Sequence, residues 1–193
     1  KEISNTNRIE DGLYALYSQG DIRWLYKDAG TLGVHQISNG HLLVPTSYTL
    51  KPTYYKSGLK EIDLSGRVYK EYGIPGGMHH DFYEMENGNY LVAGDSSDLT
   101  AVEDHIVEID GDNGDVVWEL DLADILDKED GFSASAETDG SDEVDWFHNN
   151  GVWYDEENDL VLLSARHKDA IIAIHKKEKS LAWILGDPDG WST

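Results

Sequence analysis

ISNGHLLVPTS, residues 37–47, decides the fold because the chain returns to its plan twice more. MENGNYLVAGDS (85–96) and DEENDLVLLSAR (155–166) also run from a polar turn into apolar and small residues. A second phrase follows each: GLKEIDLSGRVYKEYGI (58–74), HIVEIDGDNGDVVWELDL (105–122) and AIIAIHKKEKSLAWILG (170–186). These read as strand, polar turn, strand. GLYALYSQGDIRWLY (12–26) matches the second phrase and precedes the first full repeat. Asn39 to Asn87 is 48 residues and Ile62 to Ile109 is 47; the third unit stretches to 71 and 65. The excess sits in the acidic stretch 123–144. Propeller blades of four antiparallel strands recur every ~40–50 residues. A single blade cannot bury both of its faces, whereas blades stacked around an axis can.

The expectation is therefore an all-β chain of β-propeller blades, each of four antiparallel strands. Fourteen or so short strands make about three and a half blades, too few to close a large ring. Residues 1–193 read as one partial propeller domain with an acidic surface insertion at 123–144. A short helix is expected around Leu122–Leu126, and the Ser, Gly, Asp and Glu after it read as a solvated loop. Open blade edges predict self-association.

Composition narrows the function. The chain has 193 residues, 39% of them hydrophobic, enough for a substantial core. Six Trp and eleven Tyr suit strands. A net charge of −23 argues against nucleic acid and anionic lipid as partners, and it favours solubility. A site for an anion would then need a local positive pocket in a negative protein. The absence of cysteine removes disulfides, thiolate chemistry and cysteine-ligated zinc, and it permits an oxidising, exported location. No apolar run reaches the roughly 18 residues of a membrane span. No signal peptide is visible, and Lys1 without a preceding Met suggests a trimmed start.

Three histidine-bearing connectors precede the repeats: GTLGVHQISNG (30–40), GMHHDFYEMENG (76–88) and DWFHNNGVWYDEEN (145–158). Equivalent segments of a repeat fold take equivalent places around the axis, so their polar side chains can converge at one end of a channel. On a strand, His148 and Asn150 would project to one face and Phe147 and Asn149 to the other. The alternative is a structural pair tying neighbouring carbonyls. His79 and His80 pose the same choice, one facing the channel and one a neighbouring blade. Such a pair lacks the acidic ligands and spacing of a zinc site, so no metal is expected. Arg166 ends an apolar run, LVLLSAR, either as a fork for an oxyanion or as a salt-bridge partner for one of many carboxylates. DGDNGD (110–115) resembles a calcium loop, but Gly114 stands where a ligand is needed, so it reads as a tight hairpin turn. Trp146 and Tyr154 read as core.

DWFHNNGVWYDEENDLVLLSARHKDAIIAIHKKEKSLAWILGDPDGW (145–191) resembles the signature region of bacterial arylsulfate sulfotransferases, the type independent of the nucleotide sulfate donor. The spacing from DWFHxN to an SxRH phrase and on to WILGxPxGW is specific, and HHDFYEMENGNYLVAG (79–94) is similar to that family as well. The resemblance implies a six-bladed propeller with its site at one end of the channel. It implies ping-pong transfer of a sulfuryl group between phenols through a sulfated histidine, no cofactor, and an extracytoplasmic location. His148 and Asn150 match the histidine and asparagine of DWFHxN, Arg166 the arginine of SxRH, and His80, or else His79, an upstream site histidine. The family's nucleophilic histidine lies beyond WILGxPxGW, and none here matches it. The implied roles are oxyanion binding or proton transfer for His148 and His80, orientation for Asn150, and sulfate binding for Arg166. The partners are a small aryl sulfate and a phenol. The rival readings are a non-catalytic binding propeller and a purely structural repeat.

Overall fold

A computed structural model of the chain describes residues 12–30, 33–50, 55–95, 104–127 and 145–186. Thirteen strands run through them: β1 (Leu13–Leu16), β2 (Ile22–Tyr26), β3 (His35–Gln36), β4 (Leu42–Pro45), β5 (Lys56–Ile62), β6 (Val68–Glu84), β7 (Tyr90–Gly94), β8 (His105–Ile109), β9 (Val116–Asp121), β10 (Asn149–Asp155), β11 (Leu160–Ala165), β12 (Ala170–His175) and β13 (Ser180–Leu185). Every pairing between them is antiparallel and joins sequence neighbours. β6 serves two blades. Its first part pairs with β5 from Val68 to Gly73, and its last part pairs with β7 from Phe82 to Glu84. Gly76 and Gly77 turn the chain between them, at φ 75° and 99°. With β6 counted twice the strands number fourteen: half a blade (β1–β2), then three blades of four, as the repeat predicts.

The repeated turns explain the register. Gly40 and Gly88 take left-handed conformations at φ 88° and 85°. Asn39 Oδ1 and Asn87 Oδ1 accept the N–H of His41 and Asn89, each at 2.9 Å. In the third blade Asp155 accepts from Glu157 and Asn158, and Asp159 takes the left-handed place at φ 55°. The Asp110–Asp115 segment is the hairpin turn its composition suggests: Asp110 Oδ1 accepts from Asp112 N at 2.8 Å, and Gly114 sits at φ 80°.

Packing follows the strand period of two. In β7, Leu91 and Ala93 join the core shared with the third blade (Trp146, Phe147, Val152, Val161, Leu163, Ile172). Tyr90 and Val92 join the core shared with the preceding blade (Ile37, Leu43, Leu59). This middle blade is therefore buried on both faces. In the last blade, β11 alternates buried with half-buried residues, and Leu181, Trp183 and Leu185 of β13 are exposed. The first strand of each blade lies innermost. Asp81 ties three of them, accepting from His35 Nε2 at 3.0 Å and from the Val152 N–H at 3.1 Å. The histidine-bearing stretches are thus inner strands and their entrances, not connectors before an outer hairpin.

The expected short helix is a 3-10 turn, Leu122–Asp124, capped by Asp121. A second, unexpected 3-10 turn covers Arg166–Lys168. The acidic insertion expected at 123–144 lies outside the described residues beyond Asp127, as does the WILGDPDGW phrase beyond Gly186. Among the described residues no helix is long and apolar enough to cross a membrane.

Candidate active site

Two blades build the site. Gly33, His80 and His148 are each left-handed at the entrance to an inner strand, with φ of 64°, 59° and 55°. For histidine that backbone is uncommon and costs energy that the surroundings must supply. Phe147 and Phe82, both fully buried, anchor the two histidine entrances in the core. Trp146 adds a hydrogen bond from Nε1 to Asp104 Oδ2 at 2.6 Å. His148 and Asn150 are not alternate residues of one strand, as the sequence suggests. β10 begins at Asn149, after His148, and a bulge between Asn149 and Gly151 breaks the alternation. The left-handed turn, rather than the pleat, aims the imidazole. Asn149, expected to face away with Phe147, is buried with its amide unpartnered among the described residues.

His148 is 6% exposed and lies within an array of polar groups. Its Nδ1 meets Asp145 Oδ2 at 2.5 Å, and its Nε2 meets Arg166 Nη1 at 3.3 Å. Asp145 Oδ2 also accepts from His167 Nε2 at 3.1 Å. From β6, the ring centroids of His79 and His80 lie 5.4 and 6.1 Å from that of His148 and 3.8 Å from each other. His79 is 3% exposed. Burial foremost, then the neighbouring His80 and His148 imidazoles, pushes its pKa down to about 3, although a hydrogen bond with the Asn149 backbone opposes this. His79 is therefore neutral, while His80, half-buried, is the member of the pair with solvent access.

Arg166 does not end β11, which stops at Ala165; it opens the 3-10 turn. That turn is pinned to the opposite loop by Arg166 N to His148 O at 3.1 Å and His167 N to Phe147 O at 3.2 Å. Among the described residues no carboxylate pairs with the guanidinium, whose Nη1 contacts His148 Nε2. Arg166 also lines an open cleft of about 450 Å³ with Asn150, Ser164, Asp169, Ile171 and Leu185. Asn150 Oδ1 is buried without a partner among the described residues. All five residues singled out from sequence (His79, His80, His148, Asn150, Arg166) thus belong to one neighbourhood. Asp145 and His167 were missed, although each stands in a phrase already chosen, one opening DWFHNN and the other following Arg166.

One nitrogen from each of His79, His80 and His148 lies within 4.8 Å of the others, a spacing a metal could exploit. The Arg166 cation sits on the Nε2 side of His148, however, and it repels another cation as it attracts an anion. The arrangement sets a guanidinium and a cluster of imidazoles at the entrances to the inner strands of an all-β propeller. Solved structures share the architecture. The chain matches a protein of unknown function from Bacteroides caccae (TM-score 0.56, 15% identity, 91% of this chain and 59% of that one). It also matches the WD40 β-propeller domain of Doa1 (TM-score 0.51, 12% identity, 89% and 46%). Against characterised sequences, it is 29% identical over 171 residues to the arylsulfate sulfotransferase AssT of Escherichia coli O6:H1, spanning 68% of this chain and 28% of that protein. The arylsulfotransferase (ASST) family model matches residues 3–193, and the chain belongs to that family.

Proposed function

We propose that this chain carries part of the active site of an enzyme that moves a sulfuryl group from an aryl sulfate ester to a phenolic acceptor. One observation carries the reading: in a chain of net charge −23, a guanidinium without a carboxylate partner among the described residues stands 3.3 Å from a buried imidazole. Sulfuryl transfer, like phosphoryl transfer, depends on positioning and on donors that meet charge on the equatorial and leaving oxygens. Arg166 binds the sulfuryl oxygens, and Asn150 orients the group from the same cleft. His148 exchanges the proton of the phenol, whose pKa of about 10 calls for a base working near neutrality. His80 faces the group from the neighbouring blade, and the neutral His79 supports it from beneath.

We further propose a ping-pong route through a sulfated histidine supplied from outside residues 1–193, in a six-bladed ring that works outside the cytoplasm. The resemblance of DWFHNN, SARH and WILGDPDGW to the family supports this, and the lack of cysteine is compatible with export. The test is transfer from 4-nitrophenyl sulfate to phenol by the full-length protein. Arg166→Ala and His148→Ala should each lower kcat by about 10²–10³-fold, the usual effect of losing one transition-state donor. Wild-type rates in both variants would refute the site.

A further inference from the structure

The two nitrogens of His148 have different neighbours. A carboxylate only accepts hydrogen bonds, so the 2.5 Å contact with Asp145 Oδ2 requires a hydrogen on Nδ1. A guanidinium only donates, so the 3.3 Å contact with Arg166 Nη1 requires a lone pair on Nε2. Both neighbours favour the same neutral tautomer, and the charged 2.5 Å contact with Asp145 outweighs the long 3.3 Å contact with Arg166 in setting it. Asp145 is itself held in place: it is 7% exposed, and its Oδ2 takes a second donor, His167 Nε2, at 3.1 Å. The backbone bonds from Arg166 and His167 to His148 and Phe147 keep the two segments together.

We propose that Asp145 is a positioning residue for sulfuryl transfer, fixing His148 with its Nε2 lone pair directed at Arg166. The assignment rests on the role given to His148 above. When the sulfuryl anion arrives, Arg166 donates to its oxygens and leaves Nε2 to the acceptor. The phenol O–H breaks, its proton forms Nε2–H, the phenolate oxygen bonds to sulfur, and the sulfur–nitrogen bond to the sulfated histidine breaks with its electron pair returning to that imidazole nitrogen. The positive charge left on the ring lies against Asp145, which stabilises it without taking the proton. The other titratable groups around the ring are His79 and His80 from β6 and His167 from the 3-10 turn. None of these three is an anion, and the carboxylate in hydrogen-bond contact with the ring is Asp145.

The test uses full-length protein labelled with ¹⁵N-histidine, with His148 assigned by the signals lost in His148→Gln. The wild type should show the Nδ1–H tautomer, and Asp145→Ala should move His148 toward the Nε2–H form that free imidazole prefers. Asp145→Asn keeps the shape and removes the charge. A carboxylate raises the pKa of an adjacent imidazole, so its loss should move the acid limb of kcat/KM down by about one pH unit. In the same variant kcat should fall by about tenfold or more, with KM for 4-nitrophenyl sulfate held within about threefold. An Nε2–H tautomer in the wild type, an unchanged tautomer in Asp145→Ala, or an unmoved acid limb would overturn the proposal. If the protein transfers no sulfuryl group but Asp145→Ala still switches the tautomer, the activity is misassigned and the Asp145 placement stands.

Discussion

His80 and His148 enter their inner strands through the same left-handed backbone, at φ 59° and 55°, and each is followed or preceded by a buried phenylalanine. Their neighbours differ. His80 lies against His79, an imidazole that burial keeps neutral, with a ring separation of 3.8 Å. His148 lies between a carboxylate and a guanidinium. The difference teaches that the repeat delivers a histidine to an equivalent place in two blades, while the residues packed around each ring set its chemistry. The left-handed turn is common to both, and at His148 a carboxylate and a guanidinium lie against the ring.

The comparison can be broken first where the two entrances are alike. Phe147→Ala and Phe82→Ala should each cost about 3–5 kcal/mol in denaturant melts, because both rings are fully buried. A cost in one and not the other would show that the entrances are not equivalently anchored. The next effect belongs to the His80 side alone. His79 has a folded pKa of about 3 against an ordinary 6.5. Its neutral burial contributes stability that is complete above pH 6.5 and is lost as pH falls toward 3. His79→Phe should therefore lose less stability than wild type between pH 7 and pH 5, by about 2 kcal/mol, read from thermal melts at the two pH values.

Activity sharpens the contrast at a smaller scale. His148→Ala should reduce sulfuryl transfer about tenfold more than His80→Ala, since His148 touches both Asp145 and Arg166. Equal losses would mean that the charged pair adds nothing to what the repeat provides. The smallest effect is expected at Gly33, which is left-handed and whose added Cβ would meet the His80 carbonyl oxygen at 2.7 Å. Gly33→Ala should cost about 1–2 kcal/mol in stability, with the histidine resonances of His80 shifting more than those of His148.

Much of the molecule is legible in its sequence because turn chemistry and period-two patterning are local. Asn39-Gly40, Asn87-Gly88 and the Asp155–Asp159 turn mark the same hairpin three times, and β7 buries both faces as a middle blade must. The phrases that carry His79, His80, His148, Asn150 and Arg166 were also legible, and the structure brings them into one neighbourhood. The orientation of His148 was not. The pleat suggests one direction, whereas a left-handed residue before the strand and a bulge after it set another. Asp145 and His167 were hidden for a related reason: their meaning lies in sharing one carboxylate oxygen across 22 residues of chain. By itself, then, the sequence determined the strands, their order and which residue types reach the inner end of each blade, since hydrogen-bonded turns and alternating apolar positions act between near neighbours. Only the tertiary structure decided which nitrogen of His148 meets which charge, because that depends on bringing two blades and a 3-10 turn within hydrogen-bond distance.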